Sequence, residues 1–280
     1  MTGKHFTVEV IPTVPAGTQV AHNSADLLFD WTSFQVPRGA NKLIGLTLIC
    51  RGTDGGTQAA KDATFFFAKT VNNTAPATLG TANATITAAP ATTNHLIGQT
   101  HIESSDFGSA AFDYIAMAAT GGGGANNHVP NLVLEGEIHS GDNVGYDTLY
   151  IGAAAGAASS FNFGTGVVIS RTVDVSGLSA AQLVNADIEG TDPRLAFAVG
   201  DIIHATDDII LGEIESMADA NTITFKADGS TTTSLKGEYT VPADLAAWKI
   251  QNGAGAAGDL ASSDELFNIH PMKIILSFER

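Results

Sequence analysis

Alternation of apolar and polar residues opens and closes this chain. Residues 272–280 place Ile274, Leu276 and Phe278 on one face of an extended segment, and residues 6–10 alternate in the same way. A period of two is typical of a strand with one buried face. Because chain ends fray unless they are tied down, two strand-like ends predict a single sheet that includes both.

Short alternating or apolar segments separated by turn residues fill the first half of the chain. Their spacing predicts an all-β fold, a jelly-roll-like antiparallel sandwich. The nearly continuous apolar run at 43–50 predicts a strand buried on both faces, whereas residues 72–90, rich in Thr, Ala and Asn, predict a long exposed loop or an irregular edge. The predicted strands are 29–36, 43–50, 63–69, 97–103, 112–117, 131–139 and 146–151.

The pattern of residues along the chain changes near residue 167. Compact strand-like segments joined by hairpin turns predict a small β-barrel-like module, and short helical candidates lie at 179–186 and 242–250. The strand-like segments of the module are 201–204, 209–216, 221–226 and 237–241.

The favoured domain organisation inserts this module into the sandwich. Residues 1–169 plus 253–280 make the sandwich domain, which the C-terminal strand closes, and residues 170–252 make the inserted barrel-like domain. The Ala/Gly-rich stretch at 253–258 serves as the return linker. A simple tandem of two domains, with the last strand in the second, is the alternative.

The charge balance limits the possible partners. The chain has 280 residues, and 13 Lys plus Arg against 29 Asp plus Glu give a formal net charge of −16. Such a surface repels phosphates, so nucleic-acid binding is not expected. We also expect no membrane insertion, because no apolar run is long enough to span a bilayer. Synthesis in the cytoplasm without export is expected, because residues 1–10 lack the apolar core of a signal peptide.

Few residues could carry out catalysis. Glu135 and Glu137 share a face of a predicted strand, and such a pair could serve glycoside hydrolysis or bind a cation, although a solvated strand face explains them as well. Residues 139–142 combine His, Ser and Asp, but sequence neighbours cannot form a catalytic relay easily, so a hairpin loop is favoured. Cys50, the only cysteine, follows an apolar run and is expected to be a buried small hydrophobic residue.

Metal and phosphate motifs are missing from the sequence. His95 and His101 lack the spacing of a zinc site, and residues 54–56 and 207–208 do not match a calcium loop and are expected to be turns. The glycines at 121–124 have no following Lys, so they predict flexibility rather than a phosphate-binding loop. We therefore assign no catalytic, cofactor-binding or metal-binding residue, and expect a non-enzymatic protein without a cofactor.

Two parts of the chain carry a resemblance to a class of proteins. Residues 29–39 read Phe-Asp-Trp-Thr-Ser-Phe-Gln-Val-Pro-Arg-Gly, and residues 199–204 read Val-Gly-Asp-Ile-Ile-His, followed by Leu-Gly-Glu-Ile-Glu-Ser at 211–216. Together with the Cys-poor, acidic, Gly/Ala/Thr-rich composition, this wording resembles the structural proteins of tailed bacteriophage virions. Such proteins often carry small barrels with a similar Gly-Asp-Ile and Gly-x-Ile cadence.

The resemblance implies a virion component other than the major shell protein, whose long spine helix has no counterpart in the periodicity of this chain. The implied function is that of a capsid decoration or cement protein, which binds the major capsid protein or other virion proteins as a homo-oligomer, with a trimer favoured. A tail, collar or fibre-base component is the close alternative.

Two rival functions belong to other classes. A carbohydrate-binding host-adhesion module would use Trp31 or Trp248, although the position of Trp31 among strand formers favours the core. A glycoside hydrolase would use Glu135 and Glu137.

Overall fold

The computed structural model describes part of the chain, and the described part is all-β. The described residues are 4–14, 22–51, 61–108, 115–121, 129–137, 145–156, 167–168, 182–184, 194, 197–205, 209–219, 222–226, 250–252, 265–268 and 270–280. Within them, every regular element is a strand or a short 3₁₀ helix. The 3₁₀ helices are Pro90–Asn94 and Ser104–Asp106, and the strands are β1 (His5–Val10), β2 (Leu27–Pro37), β3 (Asn41–Arg51), β4 (Ala63–Lys69), β5 (Leu96–Ile102), β6 (Ile115–Ala119), β7 (Leu132–Leu134), β8 (Tyr146–Ala155), β9 (Val167–Val168), β10 (Gln182–Val184), β11 (Ile202–Ala205), β12 (Ile209–Asp219), β13 (Thr222–Phe225), β14 (Ile250–Asn252), β15 (Glu265–Asn268) and β16 (Met272–Glu279).

The first and last strands lie in one antiparallel sheet, here called the terminal sheet. Its strand order is β1-β16-β3-β6, and β7 pairs with the beginning of β3. β16 has a partner on each side, since Phe278 lies opposite Phe6 on β1 and opposite Leu43 on β3. This register confirms the prediction that both strand-like ends belong to one sheet.

A second antiparallel sheet, here called the facing sheet, has the order β2-β8-β4-β5. Side chains from both sheets form one hydrophobic core. Phe65 and Phe67 enter it from β4, and Leu276 and Phe278 enter it from β16, all four fully buried. A large apolar side chain buried in this way contributes about 1.5–3 kcal/mol, so the alternation along each strand holds the two sheets together.

A third sheet has seven strands in the order β10-β13-β12-β11-β14-β15-β9. Its pairings are antiparallel except that of β14 with β15, which is parallel. Ile214 and Phe225, on neighbouring strands, are buried. The sheet includes β9 and β15, which precede and follow the predicted insertion at 170–252 in the sequence. The bounds of that insertion stay a prediction.

The structure differs from the sequence-based expectations at several places. Of the predicted strand at 131–139, only Leu132–Leu134 form a strand, and residues 135–137 do not continue it. Residues 182–184, within the helical candidate at 179–186, form strand β10 and pair with β13, because an available strand edge outweighs a weak local helix preference. The run at 43–50 is buried on one face only, since Ile44 and Ile49 are partly exposed on the other. The predicted strand at 237–241 and the helical candidate up to residue 249 lie outside the described residues.

Truncating one side chain of β16 should weaken the sandwich strongly. Phe278 is fully buried and its ring stacks on Phe6 at 5.1 Å between centroids, so Phe278→Ala should lower the free energy of unfolding by about 3–5 kcal/mol. Ser277→Ala, on the opposite face of the same strand, is the matched control and should change it by less than about 0.5 kcal/mol. Urea unfolding measures both, and equal effects of the two substitutions would contradict the assigned register.

Candidate functional site

A charged clamp joins the terminal sheet to the turn that precedes β11. Arg51 ends β3, and its Nη1 and Nη2 donate to Oδ2 and Oδ1 of Asp201, each at 2.9 Å. The same guanidinium donates to the carbonyl oxygen of His270 at 3.2 Å. The side chains of Arg51 and Asp201 are 22% and 13% exposed. A bidentate, largely shielded pair of this kind fixes both distance and orientation between the parts it joins.

Asp201 is held ready for this contact by its own turn. Its Oδ2 accepts the N–H of Ala198 at 2.9 Å, and its backbone N–H donates to the carbonyl oxygen of Ala198 at 3.1 Å. Gly200, with φ of 93°, supplies the positive φ that this turn requires. The Gly-Asp-Ile segment of the sequence therefore begins in a turn that presents a carboxylate to Arg51.

A cleft of about 300 Å³ lies beside the clamp. Its lining includes Glu9, Ile49 and Lys273 of the terminal sheet, together with Val199 and His270. Lys273 Nζ lies 2.7 Å from Glu9 Oε1, so the cleft carries a second ion pair beside the clamp. The wall therefore presents apolar side chains together with two ion pairs.

The outer face of the terminal sheet extends away from this cleft. We define it by five side chains that point away from the core: Thr47 and Ile49 of β3, Met117 and Ala119 of β6, and Ile275 of β16. Met117 is 41% exposed, and the other four are partly exposed. Four of the five are apolar, and Glu9 and Lys273 lie opposite Ile275 and Ile49, so this face mixes apolar and charged side chains.

The two glutamates that the sequence singled out have separate surroundings. Both carboxylate oxygens of Glu137 accept backbone N–H groups, from Asn72 at 2.6 Å and from Asn73 at 3.0 Å. Those two residues have φ of 51° and 61° and form the two-residue turn between Val71 and Thr74. Glu137 thus caps a turn of the predicted exposed loop. Glu135 is exposed and lies beyond the end of β7.

Trp31 holds the same loop rather than filling the core. Its Nε1 donates to the carbonyl oxygen of Ala77 at 2.9 Å. Its ring and Leu79 pack over Gly152, where any side chain would collide with both. The expectation of a core position is wrong for Trp31, because it lies on the outer side of the facing sheet; the neighbouring Phe34 is buried in the core.

The remaining candidates are explained by local contacts or lie outside the described residues. His95 bonds to the carbonyl of Lys69, and His101 bonds to Glu103. Within the described ranges, no group of three His, Cys, Asp or Glu side chains suits a metal ion. Residues 54–56, 122–124, 139–142, 207–208 and 248 lie outside the described part.

The clamp should couple its two residues energetically. In a double-mutant cycle with Arg51→Ala and Asp201→Ala, we expect a coupling of about 1–2 kcal/mol in the free energy of unfolding, because the pair is bidentate and shielded. Lys42→Ala with Glu279→Ala is the control cycle, since that pair is 3.9 Å apart with side chains 43% and 41% exposed. Its coupling should stay below about 0.5 kcal/mol. Urea unfolding measures both cycles, and equal couplings would refute the clamp.

The thiol of Cys50 should make stability depend on alkaline pH. Burial raises the pKa of Cys50 to about 12 from 9.0, so the native state keeps a proton that the unfolded chain releases above pH 9. The contribution of this thiol to the free energy of unfolding is therefore fully present below pH 9. It is lost between pH 9 and pH 12, by about 1.4 kcal/mol for each pH unit.

Cys50→Ala is the comparison for this pH dependence. It removes the thiol and should show a shallower decline between pH 9 and 11. Identical slopes in urea unfolding would contradict the buried thiol.

Among the residues that the structure describes, no helix has the length and apolar character needed to cross a bilayer. Comparison of the chain with protein-family models and with curated protein sequences found no match.

Proposed function

We propose that this chain is a non-enzymatic virion structural protein, a capsid decoration or cement protein that stabilises a shell through protein–protein contacts. Its partners are the major capsid protein or other virion proteins, and it acts as a symmetric homo-oligomer, for which the sequence favours a trimer. The proposed architecture is a jelly-roll-like sandwich with an inserted small barrel-like module. The resemblance of residues 29–39 and 199–216 to phage virion proteins motivates this class.

The observation that carries the proposal is the position of β16 between β1 and β3. A protein that fastens shell subunits must resist being pulled apart from its ends. Here the first and last strands are paired to each other along six residue pairs, from His5 opposite Glu279 to Val10 opposite Ile274. Because the two end strands are paired, force applied through a contact anywhere on the sandwich does not separate an end strand from its sheet.

A surface for the shell contact is available at one end of the sandwich, here called the turn end. Val133 on β7 and Tyr146 at the start of β8 are 61% and 53% exposed. Val133 lies opposite Lys42, and Tyr146 lies opposite Pro37, so both flank the turn between β2 and β3. Large exposed apolar side chains of this kind mark protein contact sites.

The surface charge supports a protein partner. A net charge of −16 repels packaged nucleic acid and leaves other proteins as the natural partners. The adhesion alternative receives less support, because the indole of Trp31 already bonds Ala77 and covers Gly152, which leaves less of its ring for stacking on a sugar.

Binding to undecorated capsids of the virus that encodes the chain tests the proposal. Wild-type protein should co-sediment with the capsids and raise their melting temperature, because its contacts bridge subunits that otherwise separate. The double substitution Val133→Glu with Tyr146→Glu should weaken co-sedimentation at least tenfold. Ile202→Glu, at an exposed apolar position outside both the turn end and the cleft, is the control and should bind like wild type.

Two results would contradict the proposal. The first is wild-type protein that neither co-sediments nor changes capsid melting. The second is saturable binding to glycans that Trp31→Ala abolishes, since it would support the host-adhesion module instead.

A further inference from the structure

The outer edge of β1 is an open strand edge. β1 stands at the end of the terminal sheet, and β16 is its partner among the described strands. Lys4 and Arg280 exchange two backbone hydrogen bonds, at 3.4 and 2.9 Å. Since hydrogen-bonded pairs alternate along antiparallel strands, the backbone groups of His5, Thr7 and Glu9 point away from β16. Within the described part of the chain, no backbone group bonds to them.

The burial of the β1 side chains agrees with an uncovered edge. The side chains of His5, Thr7 and Glu9 lie on the outer face and are exposed. Phe6 and Val8 pack against the core, yet both are only partly buried. The core is therefore in contact with solvent along this edge of the sandwich.

Two other edges of the sandwich are covered or irregular. Beside β6, Gly108 donates to the carbonyl oxygen of Met117 at 3.3 Å. Beside β2, Leu27 donates to the carbonyl oxygen of Ala84 at 2.9 Å, and two register shifts interrupt the pairing of β2 with β8. Covering segments and bulges of this kind prevent edge-to-edge pairing. Within the described residues β1 has neither protection, since its register with β16 is regular and His5–Val10 contains no proline.

The sequence of β1 is complementary to itself in one antiparallel register. The register that uses all three outward-pointing residues places Thr7 opposite the second copy's Thr7, and Glu9 opposite the second copy's His5. On the core side it places Phe6 opposite the second copy's Val8. Thr–Thr pairs and pairs of an aromatic with a β-branched residue are favourable across strands, and an imidazole N–H can donate to a carboxylate.

We propose that β1 pairs antiparallel with β1 of a second copy of this chain, about a two-fold axis at Thr7. The two terminal sheets then form one continuous sheet, and every opposed pair of outward-pointing residues exchanges two backbone hydrogen bonds. The partly exposed Phe6 and Val8 of each copy become covered by those of the other. The charge of Glu9 does not oppose this contact, because Lys273 Nζ lies 2.7 Å from its carboxylate.

The unpaired backbone groups determine the kind of partner, because an extended strand is what satisfies a row of N–H and C=O groups. The complementary register then favours a second copy over an unrelated strand. This inference rests on the proposed homo-oligomer and makes its symmetry two-fold.

Cysteine cross-linking of the full chain tests the register. In a Cys50→Ala background, Thr7→Cys places one thiol of each copy at the axis, where the Cα atoms of a hydrogen-bonded pair are about 5.5 Å apart and within reach of a disulfide. Mild oxidation should convert most of this variant to a covalent dimer.

His5→Cys in the same background is the matched control. His5 is also exposed on β1, but the two copies of this position lie four residues apart along the paired strands, about 13 Å, which is too far for a disulfide. This variant alone should stay monomeric on a denaturing gel. A mixture of the His5→Cys and Glu9→Cys variants should cross-link, because the register places these two positions opposite each other.

Thr7→Pro tests the backbone contact without a new charge. The N–H of Thr7 faces solvent in the single chain, so proline is tolerated at this edge, but it removes the central hydrogen bonds of the pairing. Sedimentation velocity from about 1 to 300 µM should show wild type converting from monomer to dimer. Thr7→Pro should weaken this association at least about tenfold. Thr7→Val keeps the N–H and should dimerise like wild type, and urea unfolding shows whether each variant is folded.

Four results would overturn the inference: a wild-type chain that is monomeric at every concentration, a wild-type trimer, an oligomer that a folded Thr7→Pro leaves intact, or equal cross-linking of the Thr7→Cys and His5→Cys variants. Capsid co-sedimentation separates this inference from the proposed function. Dimerisation without capsid binding would refute only the function. Capsid binding by a monomeric wild-type chain that Thr7→Pro abolishes would assign the edge to a strand of the shell protein and refute only the self-pairing.

Discussion

The pairing of β16 along both of its edges is the interaction on which the sandwich depends. Leu276 and Phe278 reach the core only in the observed register, since a shift by one residue would turn both to the outer face. β1 is paired to β16 and stands at the end of the sheet order, so its place also follows from that strand. The hydrophobic core and the outer face are thus two consequences of one alignment.

Acidic side chains hold the irregular segments that the sheets leave without partners. Asp30 accepts the backbone N–H of Leu79, and Glu137 accepts those of Asn72 and Asn73. A carboxylate satisfies such donors through charge-assisted bonds where no strand is available. Part of the acidic excess of the chain is therefore structural. These carboxylates hold a segment that looks unstructured in sequence in a fixed position over the facing sheet.

The local pattern of residues predicted the strands whose position depends mainly on their own residues. The strand predicted at 63–69 has the bounds of β4, and the alternation at 272–280 gave the buried face of β16. The strand at 182–184 could not be predicted in this way, because its partner β13 determines it. Arg51 and Asp201 lie 150 residues apart, and only their positions at the end of a strand and in a Gly-Asp turn hinted at the clamp.

The same limits explain why the outer face was missed. The sequence of an apolar run such as 43–50 is the same in two situations: its second face is covered by its own chain, or that face is left for contact with another surface. Ile49 lines the cleft together with Val199 of the same chain, whereas Met117 is 41% exposed, so both situations occur on this face. Val133 lies directly opposite Lys42, which points away from the core, so the turn end and the outer face meet along one edge.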